Sequence, residues 1–353
     1  FRQVLAIEIT GKSLACPTSV GLAGWTGSDW AISAGTIIAP VSMSLISYLV
    51  APYRPKLALT EWHEFAGFFG WSTAAQLLNA INYQVDQLIL GRFVNAVELG
   101  RFSMANNLAN LPTQVVIAQV VNPLVVAFSH IRDDRERLAA AYRTSAVTMV
   151  TIGFPAMIGL SMIAAPSIRL VLGPQWLEAV HILRWLSIAA LPYFFVSCLG
   201  PLSMALGRTQ TFLQLASTEL CLRVPLTLPV VAYFGIEGAL VLRVTLAVIM
   251  ALYSMLVVGK LTGLSVLSQL TSPWRSILSG SLMAIVVQLF ASWLESLPPF
   301  IPLALGLTFV IGVAGLVYAV SLFLLWHLAG RPPGIESRVL SMLSKYYRRF
   351  AVR

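Results

Sequence analysis

The sequence predicts an all-α bundle of membrane-spanning helices, and its composition, its long apolar runs and its Gly and Pro spacing lead to that prediction. Hydrophobic residues make up 58% of the 353-residue chain and charged residues only 10%, whereas soluble domains carry about 25% charged residues. A soluble fold could not bury this much apolar side chain, because a large share of its surface must face water. The chain is therefore predicted to be an integral membrane protein.

About ten apolar runs are long enough to cross a bilayer as helices, which takes roughly 17–25 residues each. They cover residues 4–24, 29–50, 62–91, 97–128, 142–172, 176–206, 209–234, 237–261, 273–295 and 299–329. Gly and Pro mark their ends, as at Gly173, Gly207, Gly235 and Gly263. Prolines inside the runs indicate either helices built to bend or the ordinary composition of membrane helices.

Basic residues alternate between the two sides of this predicted bundle. Fifteen Lys and Arg residues lie in the links after the second, fourth, sixth and eighth runs and in the C-terminal tail, against four in the opposite links. The positive-inside rule then predicts that both ends of the chain are cytoplasmic. The net charge of +9 is explained by cytoplasmic Lys and Arg beside anionic lipid, so no nucleic-acid partner is expected.

Motifs of enzymes and metal sites are absent from the sequence. It has no Gly-rich phosphate loop, zinc motif or nucleophile elbow. Its three cysteines, Cys16, Cys198 and Cys221, lack paired spacing and are interpreted as small buried hydrophobic residues. We therefore expect no catalytic residues, no cofactor and no metal ion.

A polar stripe runs along the third apolar run. Asn79, Asn82 and Asp86 share one helical face at spacings of three and four residues. A carboxylate at bilayer depth costs at least about 2.5 kcal/mol and usually faces a bundle interior or a wet cavity. The stripe indicates either a cavity lining that takes up a proton or a cation, or hydrogen bonding between packed helices.

Two arginines also lie inside apolar runs. Glu219 and Arg223 are four residues apart and can pair on one face, either as a self-neutralising pair or as a substrate contact. Arg243 has no acidic neighbour at three or four residues, so its partner must be on another helix, on a ligand or at the interface. Its planar fork suits phosphate, and reaching to the interface is the alternative. Glu8 and Lys12 are interpreted as an interfacial pair.

Several motifs, in this order and spacing, resemble a known family. The segments are NYQVDQLILGRF at 82–93, ELGRFSMANNLANLP at 98–112, AYR at 141–143, VLGPQW at 171–176, ALGR at 205–208 and FGIEGAL at 234–240. Over about residues 1–330 the chain resembles bacterial lipid-linked oligosaccharide flippases. These are the Wzx-type polysaccharide exporters of the multidrug/oligosaccharidyl-lipid/polysaccharide exporter superfamily.

The resemblance implies a transporter of two six-helix lobes around a central cavity, with two additional helices. Residues 1–60 would then be the last two helices of the N-terminal lobe, and 61–262 the six-helix C-terminal lobe. Residues 263–330 would be the additional pair, and 331–353 a basic cytoplasmic tail. Four helices of the first lobe are accordingly expected before Phe1, so part of that lobe is missing from this chain.

The same resemblance implies a function in the bacterial inner membrane. The substrate would be an undecaprenyl-diphosphate-linked oligosaccharide, moved from the cytoplasmic to the periplasmic leaflet by alternating access for lipopolysaccharide, capsule or exopolysaccharide synthesis. Arg223 and Arg243 are the candidates for the diphosphate. Asp86, with Asn82, Asn79 and Glu219, is the candidate for ion coupling or cavity lining. Polysaccharide polymerase machinery is a possible partner.

Three other classes of protein remain open. A multidrug antiporter of the same superfamily would bind organic cations and need an acidic cavity, whereas two acidic and two basic residues balance here. A membrane glycan polymerase would be expected to carry a sizeable periplasmic loop, and the links on that side are short. A structural scaffold would not be expected to hold charges within its apolar runs.

Overall fold

The computed structural model describes positions 7, 10, 11, 13, 17, 18, 20–22 and 24, and residues 30–50, 62–298 and 300–331. All regular elements in this part of the chain are helices, which confirms the predicted all-α class. The chain divides into two compact units, Phe1–Phe65 and Ala66–Arg353. The predicted pair of Glu8 and Lys12 and the tail beyond Arg331 lie outside the described residues.

The long helix α1 (Trp30–Val50) lies in the described part of the first unit and corresponds to the predicted run 29–50. Pro40 lies inside it and donates no backbone hydrogen bond. The Ser44 hydroxyl donates to the Pro40 carbonyl at 2.9 Å. A serine hydroxyl within a helix commonly bonds the carbonyl one turn earlier, so this side chain is satisfied without water.

The second unit contains the other helices named here, except for the first four residues of α2, and they follow one another with short links. They are α2 (Trp62–Phe93), α3 (Ala96–Ser129), α4 (Arg135–Met162), α5 (Ala164–Val171), a 3₁₀ turn (Pro174–Trp176), α6 (Ala179–Val196), α7 (Leu199–Ala205), α8 (Thr209–Thr262), α9 (Val266–Thr271), α10 (Trp274–Leu289), α11 (Ala291–Ser296) and α12 (Ile301–Leu328).

These helices coincide with the predicted runs from residue 62 onward. Four stretches of the described chain are long and apolar enough to cross a membrane, and α10 is apolar but shorter. The four are Arg135–Met162, Ala179–Ala205, Gln210–Thr262 and Ile301–Leu328. The chain is a multi-pass membrane protein, as predicted. The assignment of its helices to lobes stays a prediction.

Helix α8 is two helices joined at Gly235. Its φ of 58° and ψ of −142° are not helical, and this conformation is essentially restricted to glycine. In a straight helix, Arg223 and Arg243 would lie about 30 Å apart, yet both contact the same carboxylate, Asp86. The chain therefore reverses at Gly235, which is where the runs 209–234 and 237–261 were predicted to meet.

The links of the second unit gather at two ends of the bundle. At the Gly235 end, Arg101 pairs with Glu178, and His181 lies 3.0 Å from Glu237. Arg169 reaches across the same end and donates to the Leu297 carbonyl at 3.0 Å. At the other end, here called the Gly263 end, the links 130–134, 206–208 and 263–265 lie around a separate apolar cluster.

Arg275 departs from its predicted place. It was counted as a cation of a link, but α10 begins at Trp274, so Arg275 lies in the first turn of a helix and is only 8% exposed.

The cysteines differ from one another in burial. Cys198 is buried as predicted, whereas Cys221 is exposed, so the prediction for Cys221 was wrong. Cys16 lies outside the described residues.

Candidate functional site

Asp86 on α2 joins the two arginines of α8. The Arg243 Nη1 atom donates to Asp86 Oδ2 at 2.8 Å, and the Arg223 Nε atom lies 3.8 Å from Asp86 Oδ1. The Asp86 side chain is 9% exposed, against 13% for Arg223 and 21% for Arg243. One buried carboxylate thus contacts two guanidinium groups that come from opposite sides of the Gly235 reversal.

Further donors of both arginines are also occupied. Arg243 Nη2 donates to the Asn106 side-chain oxygen on α3 at 3.0 Å. Arg223 Nη1 donates to the backbone carbonyl of Asn82 at 2.7 Å, and its Nη2 lies 3.2 Å from Glu219 Oε1. We call Asp86, Asn82, Asn106, Glu219, Arg223 and Arg243 the arginine network. It links α2, α3 and both halves of α8.

Helical periodicity explains how the network is assembled. Asn82 and Asp86 are four residues apart on α2, as are Glu219 and Arg223 on α8, so each pair shares a face. Side chains beside the network on α2 and α3, such as Val85 and Ala105, belong to a buried apolar cluster. The polar face is therefore turned toward neighbouring helices.

Residue counts from the turns place the network near the middle of the bundle. The turn between α2 and α3 lies nine residues after Asp86 and eleven before Asn106. Gly235 lies twelve residues after Arg223 and eight before Arg243. At 1.5 Å per residue these separations are roughly 12–18 Å, about half of a hydrocarbon core of about 30 Å.

The charges of the network balance, since two carboxylates face two guanidinium groups. Burying an isolated charge is expensive, and a buried pair offsets that cost only when its hydrogen bonds are also made. The observed contacts meet most of that requirement. An anion that entered the network would find two arginine forks, but it would have to compete with Asp86 and Glu219 for them.

Two buried amide atoms of the network have no hydrogen-bond partner among the described residues. They are Asn82 Oδ1 and Asn106 Nδ2. Asn82 is 4% exposed and Asn106 is 1% exposed, while the other amide atom of Asn82 donates to the Ala216 carbonyl at 3.0 Å. An acceptor and a donor beside the ion pairs are thus left for water or a bound ligand.

The structure brings together all but one of the predicted site residues. Asn79 is the exception, because its amide donates to the Ala75 carbonyl of its own helix at 2.8 Å. Arg243 finds its partner on another helix, which was one of the three predicted possibilities. Asn106 was not predicted. The adjacent Asn106 and Asn107 within an apolar run were the signal that could have revealed it.

A metal site has no support in the described part of the chain. No three His, Cys, Asp or Glu side chains lie close enough there to hold a metal ion. The acidic residues of the network are paired with arginines in this structure.

The comparisons with known proteins point to one family. The sequence profile described as "Polysaccharide biosynthesis protein" matches residues 1–181. The chain is 26% identical over 295 residues to the succinoglycan biosynthesis transport protein ExoT of Rhizobium meliloti, covering 82% of this chain and 59% of that protein. It is 27% identical over 222 residues to the lipopolysaccharide biosynthesis protein WzxC of Escherichia coli, covering 59% and 45%.

A solved structure has a similar fold. The lipid II flippase MurJ, in an inward closed conformation, aligns with 91% of this chain and 68% of its own, with a TM-score of 0.61 and 15% identity. At that identity the likeness shows the fold alone. ExoT is named as a transport protein and MurJ as a flippase, so these two proteins are transporters and not enzymes. The family profile covers half of the chain, so the chain belongs to the polysaccharide biosynthesis protein family, as its resemblance to Wzx-type exporters predicted.

Proposed function

We propose that this chain belongs to a transporter that moves an undecaprenyl-diphosphate-linked oligosaccharide from the cytoplasmic to the periplasmic leaflet of the bacterial inner membrane. The movement would serve surface polysaccharide synthesis and would occur by alternating access. Both ends of the chain would be cytoplasmic. The observation that carries the proposal is the convergence of Arg223 and Arg243 on Asp86, about midway along the bundle.

The chemistry of the network suits a diphosphate. Each arginine fork can hold two phosphate oxygens, and a fork in a poorly hydrated surrounding holds them more tightly than in water. A diphosphate and a sugar chain cannot cross hydrocarbon unaided, because their polar groups would lose water without replacement. Two mid-membrane arginines would supply that replacement while the polyprenyl tail remains in lipid.

Asp86 and Glu219 would hold the arginines when no substrate is bound. In the structure they occupy the donors that a diphosphate would need. Entry of the substrate would release these carboxylates, and a released carboxylate in a low-dielectric surrounding favours taking up a proton or a cation. The network would therefore couple the substrate to an ion, with Asp86 as the exchanging group.

A multidrug antiporter of the same superfamily is less well supported. An organic cation would require a site with excess negative charge, whereas the network is neutral and presents two guanidinium groups. A glycan polymerase remains an outcome of the experiment, because it would act on the same lipid-linked sugars after they have crossed.

The experiment uses the complete gene, deleted from its host and restored in variant form. We expect Arg243→Leu to lower surface polymer severely, at an unchanged level of folded protein, with lipid-linked oligosaccharide accumulating on the cytoplasmic face. Arg184→Leu is the matched control, because Arg184 lies on α6 and is exposed. Normal polymer export by Arg243→Leu would remove Arg243 from the site. In the deletion strain, single units accumulating on the periplasmic face would instead identify a polymerase.

A further inference from the structure

A strip of uncharged hydrogen-bonding side chains runs along one face of the α2–α3 hairpin. On α3 its members follow one another at spacings of four, three and four residues, which places them on one side of the helix. On α2 two further members are four residues apart. We call the following residues the amide strip: Tyr83 and Gln87 on α2, with Ser103, Asn107, Asn110 and Gln114 on α3.

The amide strip is open, although both helices belong to predicted membrane runs. Tyr83 is 40% exposed, and Asn107 and Gln114 are also exposed. The Asn110 amide donates to the Tyr83 hydroxyl at 3.3 Å and so joins the two halves of the strip. Within the described chain, the side chains of Gln87, Asn107 and Gln114 make no hydrogen bond to another residue. Their donors and acceptors are therefore available to a ligand.

The strip is separate from the face of α3 that suits lipid. That apolar face is exposed and consists of Val97, Met104, Leu111 and Val115. The strip lies about a quarter of a turn around the helix from it. An amide that faced hydrocarbon without a partner would lose its hydrogen bonds to water at a high cost. We therefore expect the strip to face water or a polar ligand.

The amide strip is continuous with the arginine network. Asn82 and Asn106 belong to the network, and the residues that follow them, Tyr83 and Asn107, belong to the strip. Each helix thus contributes one residue to the network and the next residue to the strip. A single elongated ligand could contact both.

The strip extends from the depth of the network toward the Gly263 end. Ser103 and Gln114 are eight and nineteen residues beyond the N-cap of α3 at Asn95, which corresponds to roughly 12 Å and 29 Å along the helix. The network lies roughly 12–18 Å from the same turn. A ligand anchored on the arginines would therefore have polar side chains beside it on the Gly263 side.

We propose that the amide strip binds the sugar chain of the transported lipid while Arg223 and Arg243 hold its diphosphate. This inference rests on the proposed function and assigns a second part of the same site. An amide offers both donors and an acceptor, so it can bond sugar hydroxyls, which also donate and accept. The Tyr83 ring adds an apolar surface for the C–H face of a sugar.

The two parts of the site divide the substrate by charge. The diphosphate is anionic and meets the guanidinium groups, whereas no residue of the amide strip is charged. The strip therefore suits a chain of uncharged sugars, because an acidic sugar would find no cation along it. Selection among sugar chains would belong to the strip, and the arginines would serve every diphosphate-linked lipid alike.

The test measures the Kd of the purified, complete transporter in detergent for two radiolabelled probes. One is the lipid-linked oligosaccharide extracted from the host membrane, and the other is undecaprenyl diphosphate without sugars. We expect Asn107→Ala combined with Gln114→Ala to raise the Kd for the lipid-linked oligosaccharide about tenfold. The Kd for undecaprenyl diphosphate should stay unchanged. Arg243→Leu should instead raise both Kd values.

Two further variants make the test sharper. Tyr83→Phe keeps the ring and loses the hydroxyl, so the Kd for the lipid-linked oligosaccharide should rise by a smaller factor, about threefold. Gln210→Ala is the matched control, because Gln210 is an exposed amide near the start of α8 and outside the strip. It should leave both Kd values unchanged.

The outcomes separate this inference from the proposed function. An unchanged Kd for the lipid-linked oligosaccharide in the double variant would overturn the role of the strip and leave the proposed function standing. A lower Tm of the double variant without any lipid would also overturn that role, because the strip would then be packed against other helices. A wild-type transporter that binds neither probe would overturn both.

Discussion

The arginine network and the contact between α4 and α6 hold helices together by different means. Around Asp86, α2, α3 and α8 are joined by ion pairs and hydrogen bonds between side chains. Between α4 and α6 the contact is close packing, with Gly153 on α4 lying directly against the Phe194 ring of α6. Met157 and Phe194 there are at most 1% exposed.

The difference shows which part of the bundle can change partners. In a bilayer, helices associate through packing and hydrogen bonds, because lipid is as apolar as the side chains. Gly153 and the Phe194 ring are packed so closely that they fit together in one arrangement only. We therefore expect α4 and α6 to act as a rigid scaffold. Arginine donors can exchange one anion for another at modest cost. We therefore propose that the binding and release of a charged ligand take place between α2, α3 and α8.

The largest effect is expected from breaking the network at its centre. Asp86→Asn leaves Arg223 and Arg243 without their shared carboxylate, and Asn cannot supply the missing charge. Removal of one partner from a buried ion pair typically costs about 3–5 kcal/mol. We expect a lowered free energy of unfolding of that order, measured as thermal stability in detergent, and a transport activity with altered ion dependence.

A second substitution distinguishes charge from shape at Asp86. Adding Arg243→Gln to Asp86→Asn removes one positive charge and leaves Arg223 paired with Glu219. The double variant should recover about 1 kcal/mol or more relative to the sum of the single changes. Strict additivity would mean that the side chains act separately. Wild-type transport of Asp86→Asn across pH would favour a packing role for Asp86.

An intermediate effect is expected from disturbing the scaffold. The variant is Gly153→Ala. Its added Cβ atom would lie 2.1 Å from Phe194 Cδ1, so the ring or a helix must move. Overpacking of this kind costs about 1–3 kcal/mol. Gly312→Ala is the control, since nothing lies within 4 Å of a Cβ atom there, and it should leave stability unchanged or slightly raised. Equal Tm values for the two variants would show that the α4–α6 contact is loose.

The smallest effect should separate two asparagines of the same stripe. Asn82 bonds across to α8, whereas Asn79 bonds only to its own helix. Interhelical hydrogen bonds in membranes contribute about 0.6–2 kcal/mol. Asn82→Ala should therefore lower the free energy of unfolding by about 1 kcal/mol, and Asn79→Ala by less than about 0.5 kcal/mol. Hydrogen exchange or thermal unfolding would measure both, and the reverse order would contradict the assigned contacts.

Much of the fold follows from local sequence, because a membrane helix satisfies its own backbone and must be apolar over a fixed length. The runs from residue 62 onward became helices, and Gly235 became the point of reversal because glycine alone adopts its conformation readily. Arg275 was counted with the preceding link although the predicted run 273–295 already contained it, because a cation near the start of a run is ordinarily exposed. A cation in that first turn can be buried by neighbours that the local sequence does not reveal.

The site was less accessible from sequence, because its contacts join distant segments. Periodicity showed that Asn82 and Asp86 share a face, but not which helix that face meets. Asp86 and Arg243 are 157 residues apart in the chain, so their contact depends on packing. Asn106 was not predicted because burying a neutral amide in an apolar run costs less free energy than burying a charge, so its presence is a weaker sign of a site.

The reversal at Gly235 also makes residue number a part of the site. Each residue added to an α-helix turns the following side chains by about 100° and advances them by 1.5 Å. One residue inserted between Gly235 and Arg243 would rotate the guanidinium group off the face that meets Asp86, even with every existing residue retained. The segment from Arg223 to Arg243 must therefore keep its number of residues as well as its two arginines, because both determine whether the guanidinium groups face Asp86.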